Sequence, residues 1–220
     1  QFLFMQKHRF VSVLCGAVLS FLFFSTICAQ QRWSVGPRLG ANFSRIVGPD
    51  VPDNKLVPGF TGGLYVMYSD VNHFGISADV LFSQQGARFA TGNTAYTQRL
   101  NYLSVPVAAR YFMNLKGKFR PNLFVGGAAN FLLGGKVRNH TVNGQEQPEQ
   151  TNTRSFNGVD IAWLAGLGLN FKVTKARWVQ TDIRYQQSLL PIQSVANAPD
   201  QRNATVSVVF SYAFGVGKKY

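Results

Sequence analysis

Ala204-Thr205-Val206-Ser207-Val208-Val209-Phe210-Ser211-Tyr212-Ala213-Phe214 decides the fold. One parity of this stretch, Val206, Val208, Phe210, Tyr212 and Phe214, is large, apolar and aromatic at its end. The other, Thr205, Ser207, Val209, Ser211 and Ala213, is small and mostly hydroxylic. A period of two is the period of a strand, whose successive side chains point to opposite faces. A soluble sandwich strand has the same period. What separates the two is repetition: the pattern recurs along the chain, and long and short connections take turns, as in a transmembrane β-barrel. A lipocalin-like soluble barrel would place the apolar parity inside, where this strand has its small hydroxyls.

Seven earlier stretches repeat the pattern: 33–43, 60–68, 74–84, 102–112, 122–133, 159–171 and 178–188. With 204–214 they predict an eight-stranded antiparallel transmembrane β-barrel whose last strand closes onto the first. Each strand is expected to run about ten residues, enough to cross a bilayer when tilted. Pro37 lacks a ladder donor, so the first strand should be weak or bulged there. Residues 45–58, 86–100, 134–158 and 189–201 read as long connections, and 69–72, 114–121 and 172–177 as short ones. That order puts both termini on the short-turn side, which is periplasmic in bacterial barrels. The longest connection carries the polar run Gly144 to Thr153, which buries nothing and is expected to be mobile.

Upstream of the barrel, Lys7, His8 and Arg9 precede an apolar run from Phe10 to Ile27. Residues 1–29 read as a secretory signal peptide, with 1–4 an upstream extension before Met5. The barrel domain is then 30–220. Both cysteines, Cys15 and Cys28, fall in the leader, which excludes disulfides and thiolate metal sites from the folded part. Only 14% of the 220 residues are charged, below the roughly 25% usual for soluble domains. The formal charge is +13. No motif for nucleic-acid binding accompanies it, so anionic lipid is the expected partner.

Charges within the strands fall on the inward parity: Arg38, Asp79, Arg110, Asp160, Asp182 and Arg184. An eight-stranded barrel is just wide enough to be filled by side chains. Ionised groups in that space must pair, because an isolated buried charge costs several kcal/mol. The six residues therefore form either a packed polar plug of Arg–Asp pairs or the lining of a narrow conducting path or small polar binding site. A second basic group, Lys116, Lys118, Arg120, Lys172, Lys175 and Arg177, with Lys218 and Lys219, lies at the periplasmic turns and terminus. It suits attraction to lipid headgroups or docking of an acidic periplasmic or outer-membrane protein partner.

Barrel hydrolases need a nucleophile and base within reach. The two histidines beyond the leader, His73 at a short turn and His140 in the longest connection, have no Ser and carboxylate set by strand spacing. No metal-ligand spacing or phosphate-cradling glycine loop appears. No enzyme, cofactor or metal is expected.

Tyr102-Leu103-Ser104-Val105-Pro106-Val107-Ala108-Ala109-Arg110-Tyr111 resembles the "YL-x-hydrophobic-P…(K/R)Y" strand of the PorT-like outer membrane β-barrel proteins of Bacteroidetes. Pro121-Asn122-Leu123-Phe124-Val125-Gly126-Gly127-Ala128 is similar to that family's next strand, and Asp182-Ile183-Arg184-Tyr185 to its seventh. The Ala29-Gln30 junction looks like cleavage regions common in that phylum. The resemblance implies an outer-membrane barrel and, through its name-giving member, a part in protein secretion or surface assembly. It brings no catalytic residues. The reading open beside it is a small-solute channel or a lipid- or small-ligand-binding barrel.

Overall fold

Alternating sequence makes strands, and in lipid a strand is stable only when both its edges are paired. A computed structural model of the chain describes residues 32–49, 51–70, 72–174, 176–194 and 200–216. The expected leader and its cysteines, with Lys175, Lys218 and Lys219, lie outside the described residues. Eight principal strands follow one another: β1 Arg32–Val47, β2 Val57–Ser69, β3 Phe74–Thr91, β4 Thr94–Phe112, β5 Phe119–Val142, β6 Val159–Lys172, β7 Arg177–Ser188 and β8 Arg202–Val216. Each pairs antiparallel with the next. β8 then pairs with β1, from Trp33 opposite Val216 to Val47 opposite Arg202, and the ring is closed.

Proline interrupts this seam as expected, but without a bulge. Gly36 and Pro37 have no ladder partner in β8, yet the register is the same on either side, with Val35 opposite Phe214 and Arg38 opposite Ser211. The parities read from the sequence are those observed. Leu39, Leu64, Ile76, Val107, Val125, Leu167, Ile183 and Phe210 face outward and are exposed. Aromatic pairs stand on this outer surface near the short-turn end, among them Trp33–Tyr68 at 5.3 Å and Phe119–Phe171 at 4.9 Å between ring centroids. Trp163–Tyr185, at 5.3 Å, stands toward the other end. An apolar band bordered by aromatics is the lipid-facing surface of such a barrel.

Two expectations are corrected. Residues 86–100 are not an irregular connection. β3 and β4, 18 and 19 residues long, stay paired up to Thr91 opposite Thr94, with only Gly92-Asn93 between them. The 134–158 segment is not a free loop either. β5 runs for 24 residues to Val142, turns at Asn143-Gly144, and returns as short strands Gln145–Gln147 and Gln150–Thr151 and a 3-10 turn Thr153–Ser155. Nine to eleven residues suffice to cross the bilayer, so β3, β4 and β5 project beyond it as an outer sheet. A further short strand, Asn54–Lys55, pairs with β3 at Arg88 and Phe89.

Candidate functional site

The inward face of the barrel is packed from one end to the other. Near the short-turn end Tyr65, Met67, Phe112 and Ala213 form an apolar cluster, with Leu115 and Trp178 against it. Arg120 lies over the Trp178 ring at 4.5 Å and Lys172 at 5.8 Å. These two cations, expected at the short turns, are placed there and lie over an aromatic ring at the mouth. Lys116, Lys118 and Arg177 are exposed.

Five of the six predicted lumen charges meet next to that apolar cluster. Arg110 donates to both oxygens of Asp182, at 3.1 Å and 2.5 Å, and also to Asn122 and Ser77. Arg38 Nη2 lies 3.2 Å from the same carboxylate, while Arg38 Nη1 donates to Asp79 at 2.7 Å and Nε to Ser211 at 2.7 Å. Arg184 donates to Asp79 Oδ2 at 3.1 Å from both terminal nitrogens. Arg38 lies over the Tyr65 ring at 4.5 Å and Arg110 over the Phe124 ring at 4.3 Å. Three guanidiniums face two carboxylates, all five side chains buried, with one positive charge in excess.

Asp160 is the correction. An Arg–Asp pair was expected of it, but its carboxylate accepts from Asn130 at 3.2 Å and Ser188 at 2.8 Å, both neutral. Asn130 also binds Ser104 and Gln186, and the Tyr102 hydroxyl accepts from Asn203. The sequence shows an inward charge at residue 160 but not its distance along the tilted strands from the arginines.

Glycines make room for the ion cluster. A Cβ at Gly168, which pairs with both Asp182 and Asn122, would come within 2.5 Å of Asn122 and 2.8 Å of the Asp182 carboxylate. The long-connection end of the lumen is closed by Ile46, Ala87, Phe89, Leu100, Tyr102, Phe156 and Ile192, all buried. Phe156 is brought there by the segment expected to be mobile. Asn152 and Gln98 exchange hydrogen bonds at 2.7 and 3.1 Å and hold it down. This cover could not be read from composition. Its cue is Asn143-Gly144, a dipeptide suited to a two-residue hairpin turn, with φ of 51° and 78°.

His73 contacts the Phe112 carbonyl and stacks on Tyr111, and His140, on β5 rather than in a loop, sits edge-on to Tyr96. Among the described residues no group of three or more His, Cys, Asp or Glu is placed to hold a metal ion.

A family model described as "Outer membrane protein beta-barrel domain" matches residues 28–194. The fold is similar to that of the outer membrane protein OprG of Pseudomonas aeruginosa, with 8% identity, coverage of 86% of this chain and 98% of that one, and a TM-score of 0.50. It is also similar to Ail, the attachment invasion locus protein of Yersinia pestis, solved with the heparin analogue sucrose octasulfate, at 16% identity, 83% and 99% coverage and a TM-score of 0.42. The outer membrane enzyme PagL is similar at 11% identity, 81% and 97% coverage and a TM-score of 0.40. No curated protein matches the sequence.

Proposed function

We propose, from the premise that this chain belongs to the outer membrane protein beta-barrel domain family and lies in the outer membrane, that it is a closed, non-enzymatic barrel working through its surfaces. The observation that carries this reading is the filled lumen. Apolar clusters occupy both ends, and between them Arg38, Asp79, Arg110, Asp182 and Arg184 form one buried ion-paired network. A path for solute would require both apolar ends to move and a buried ion network to break, and breaking such a pair costs about 3–5 kcal/mol. What the protein offers its surroundings is the outer sheet of β3, β4 and β5 and the exposed periplasmic lysines.

The strand motifs that resemble those of PorT-like proteins support a narrower role, as an accessory of protein secretion or surface assembly. In that role Lys116, Lys118 and Arg177 are the periplasmic contacts open to an acidic partner. Residues 1–29 act as the export signal, a reading tested by the N-terminal sequence of the protein recovered from the outer membrane. Two measurements test the function. Reconstituted in a planar bilayer, the protein should be electrically silent; steps altered by Arg110→Ala would instead establish the channel reading. A pull-down from the native membrane in mild detergent should recover a stoichiometric partner, and a barrel recovered alone would remove the accessory role.

A further inference from the structure

Five cations share the outward face of the outer sheet, and their arrangement is unfavourable for the sheet itself. Lys55 lies directly opposite Arg88, and Arg99 directly opposite Lys136. Arg138 is opposite Thr97, which is in turn opposite Arg88. Neighbouring strands are only ~4.8 Å apart, and like charges directly opposed destabilise a sheet. An irregularity in the β4–β5 pairing creates the patch. Asn101 pairs with Gly134 but Tyr102 with Leu132, so β5 gains one residue there. Strict alternation from Phe131 and Leu133 would send Lys136 and Arg138 inward. The extra residue turns them outward, onto the face of Arg99.

Among the described residues one carboxylate pairs with them: Glu149, 3.4 Å from Lys136 and 2.8 Å from Arg138. Asp53 and Glu146, the other described acids on adjoining segments, make no ion pair among the described residues. Partial burial and the charge of Arg138 pull the Arg99 guanidinium below its usual range. The patch therefore keeps a surplus of positive charge.

Its height matters as much as its charge. Arg88 is six residues beyond the outward Phe82, Arg99 four beyond Leu103, and Lys136 three beyond Leu133. At ~3.3 Å per residue on strands tilted by roughly 40°, the cations stand about 8–15 Å above the apolar band. Long basic side chains reach back toward the interface from that height. The hairpin tips, Gly92-Asn93 and Asn143-Gly144, carry no charge. A site for a soluble anion would be expected at the tips; this one stands within side-chain reach of the headgroup layer.

We propose that Lys55, Arg88, Arg99, Lys136 and Arg138 dock the phosphate groups of outer-leaflet lipid, a phosphorylated glycolipid headgroup lying against the outer sheet. The proposal rests on the barrel's orientation and is independent of whether the lumen conducts. The test uses the full chain refolded into phosphatidylcholine nanodiscs containing either diphosphorylated lipid A or the same lipid stripped of its phosphates. Lipid retained after extraction is counted by native mass spectrometry. The expected result is selective retention of the phosphorylated form, weakened by salt and reduced roughly 100-fold in an R88Q/K136Q/R138Q variant. A K55Q/R88Q variant, which touches no ion pair, guards against loss through misfolding and should show a smaller loss in the same direction. Equal retention of the two lipids, or equal retention by wild type and both variants, overturns the proposal. So does patch-dependent binding of soluble heparin without discrimination between the lipids, which would assign the surface to a soluble polyanion.

Discussion

The three inward aspartates differ in what faces them, and their substitutions should differ accordingly. Asp182 takes both terminal nitrogens of Arg110 and lies 3.2 Å from Arg38. Asp182→Asn leaves those guanidiniums buried without their main countercharge, and should cost about 3–5 kcal/mol. Among the described residues Asp160 meets neutral donors, Asn130 and Ser188 foremost. Asp160→Asn keeps an acceptor for both and should cost about 1 kcal/mol. Urea unfolding in lipid vesicles, followed by tryptophan fluorescence, measures both, and equal losses would mean that the pairing described here does not hold the barrel. Gly168→Ala should fall near Asp182→Asn, because its Cβ collides with the Asn122 amide and the Asp182 carboxylate. This is the part of the site legible in the sequence, since inward parity alone picked out the charges. Asp160 shows the limit. Parity says which face a side chain takes, not its height on a tilted strand.

At the level of elements, the membrane-spanning portions were legible and the outer sheet was not, for one physical reason. Within lipid, outward residues must be apolar, so alternation is visible as contrast. Beyond it β3 continues with Arg88 and Ala90 outward and Gln85, Ala87 and Phe89 inward, and the contrast is gone. What remains is backbone chemistry at single positions. Gly86 has φ of 145°, and a Cβ there would meet the Gln98 carbonyl at 2.0 Å. Gly86→Ala should therefore raise amide exchange across 86–99 while leaving β6 and β7 protected. The return strand of β5 has its own condition. The hydrogen bond from Arg138, and then the charges of Arg138 and Lys136, hold the Glu149 carboxyl below its usual range. Its contribution is complete above the unfolded value of 4.5 and is lost as pH falls through the lower folded value. Cross-strand NMR contacts between Val137 and Gln150 should thus weaken in acid, and in an Glu149→Gln variant they should be weak at every pH.

The molecule as a whole keeps its charges in two regimes, buried and ion-paired in the lumen, at the surface and largely unpaired on the outer sheet. Salt should therefore leave urea unfolding of the barrel almost unchanged while it removes lipid selectivity, because buried pairs are little screened and exposed ones strongly. An unfolding midpoint that moved with salt as much as lipid retention does would show that the lumen network is open to solvent. The seam between β8 and β1 has a consequence for biogenesis. It joins Trp33 to Val216, near the two ends of the described chain, and hydrocarbon offers no substitute partner for either edge. The strands cannot enter the bilayer one at a time in the order they are made; entry has to wait until the last of them exists. A chain that stops short of Arg202 is left with two bare edges, and its fate is decided before it reaches lipid, by whatever chaperone or protease meets those edges first.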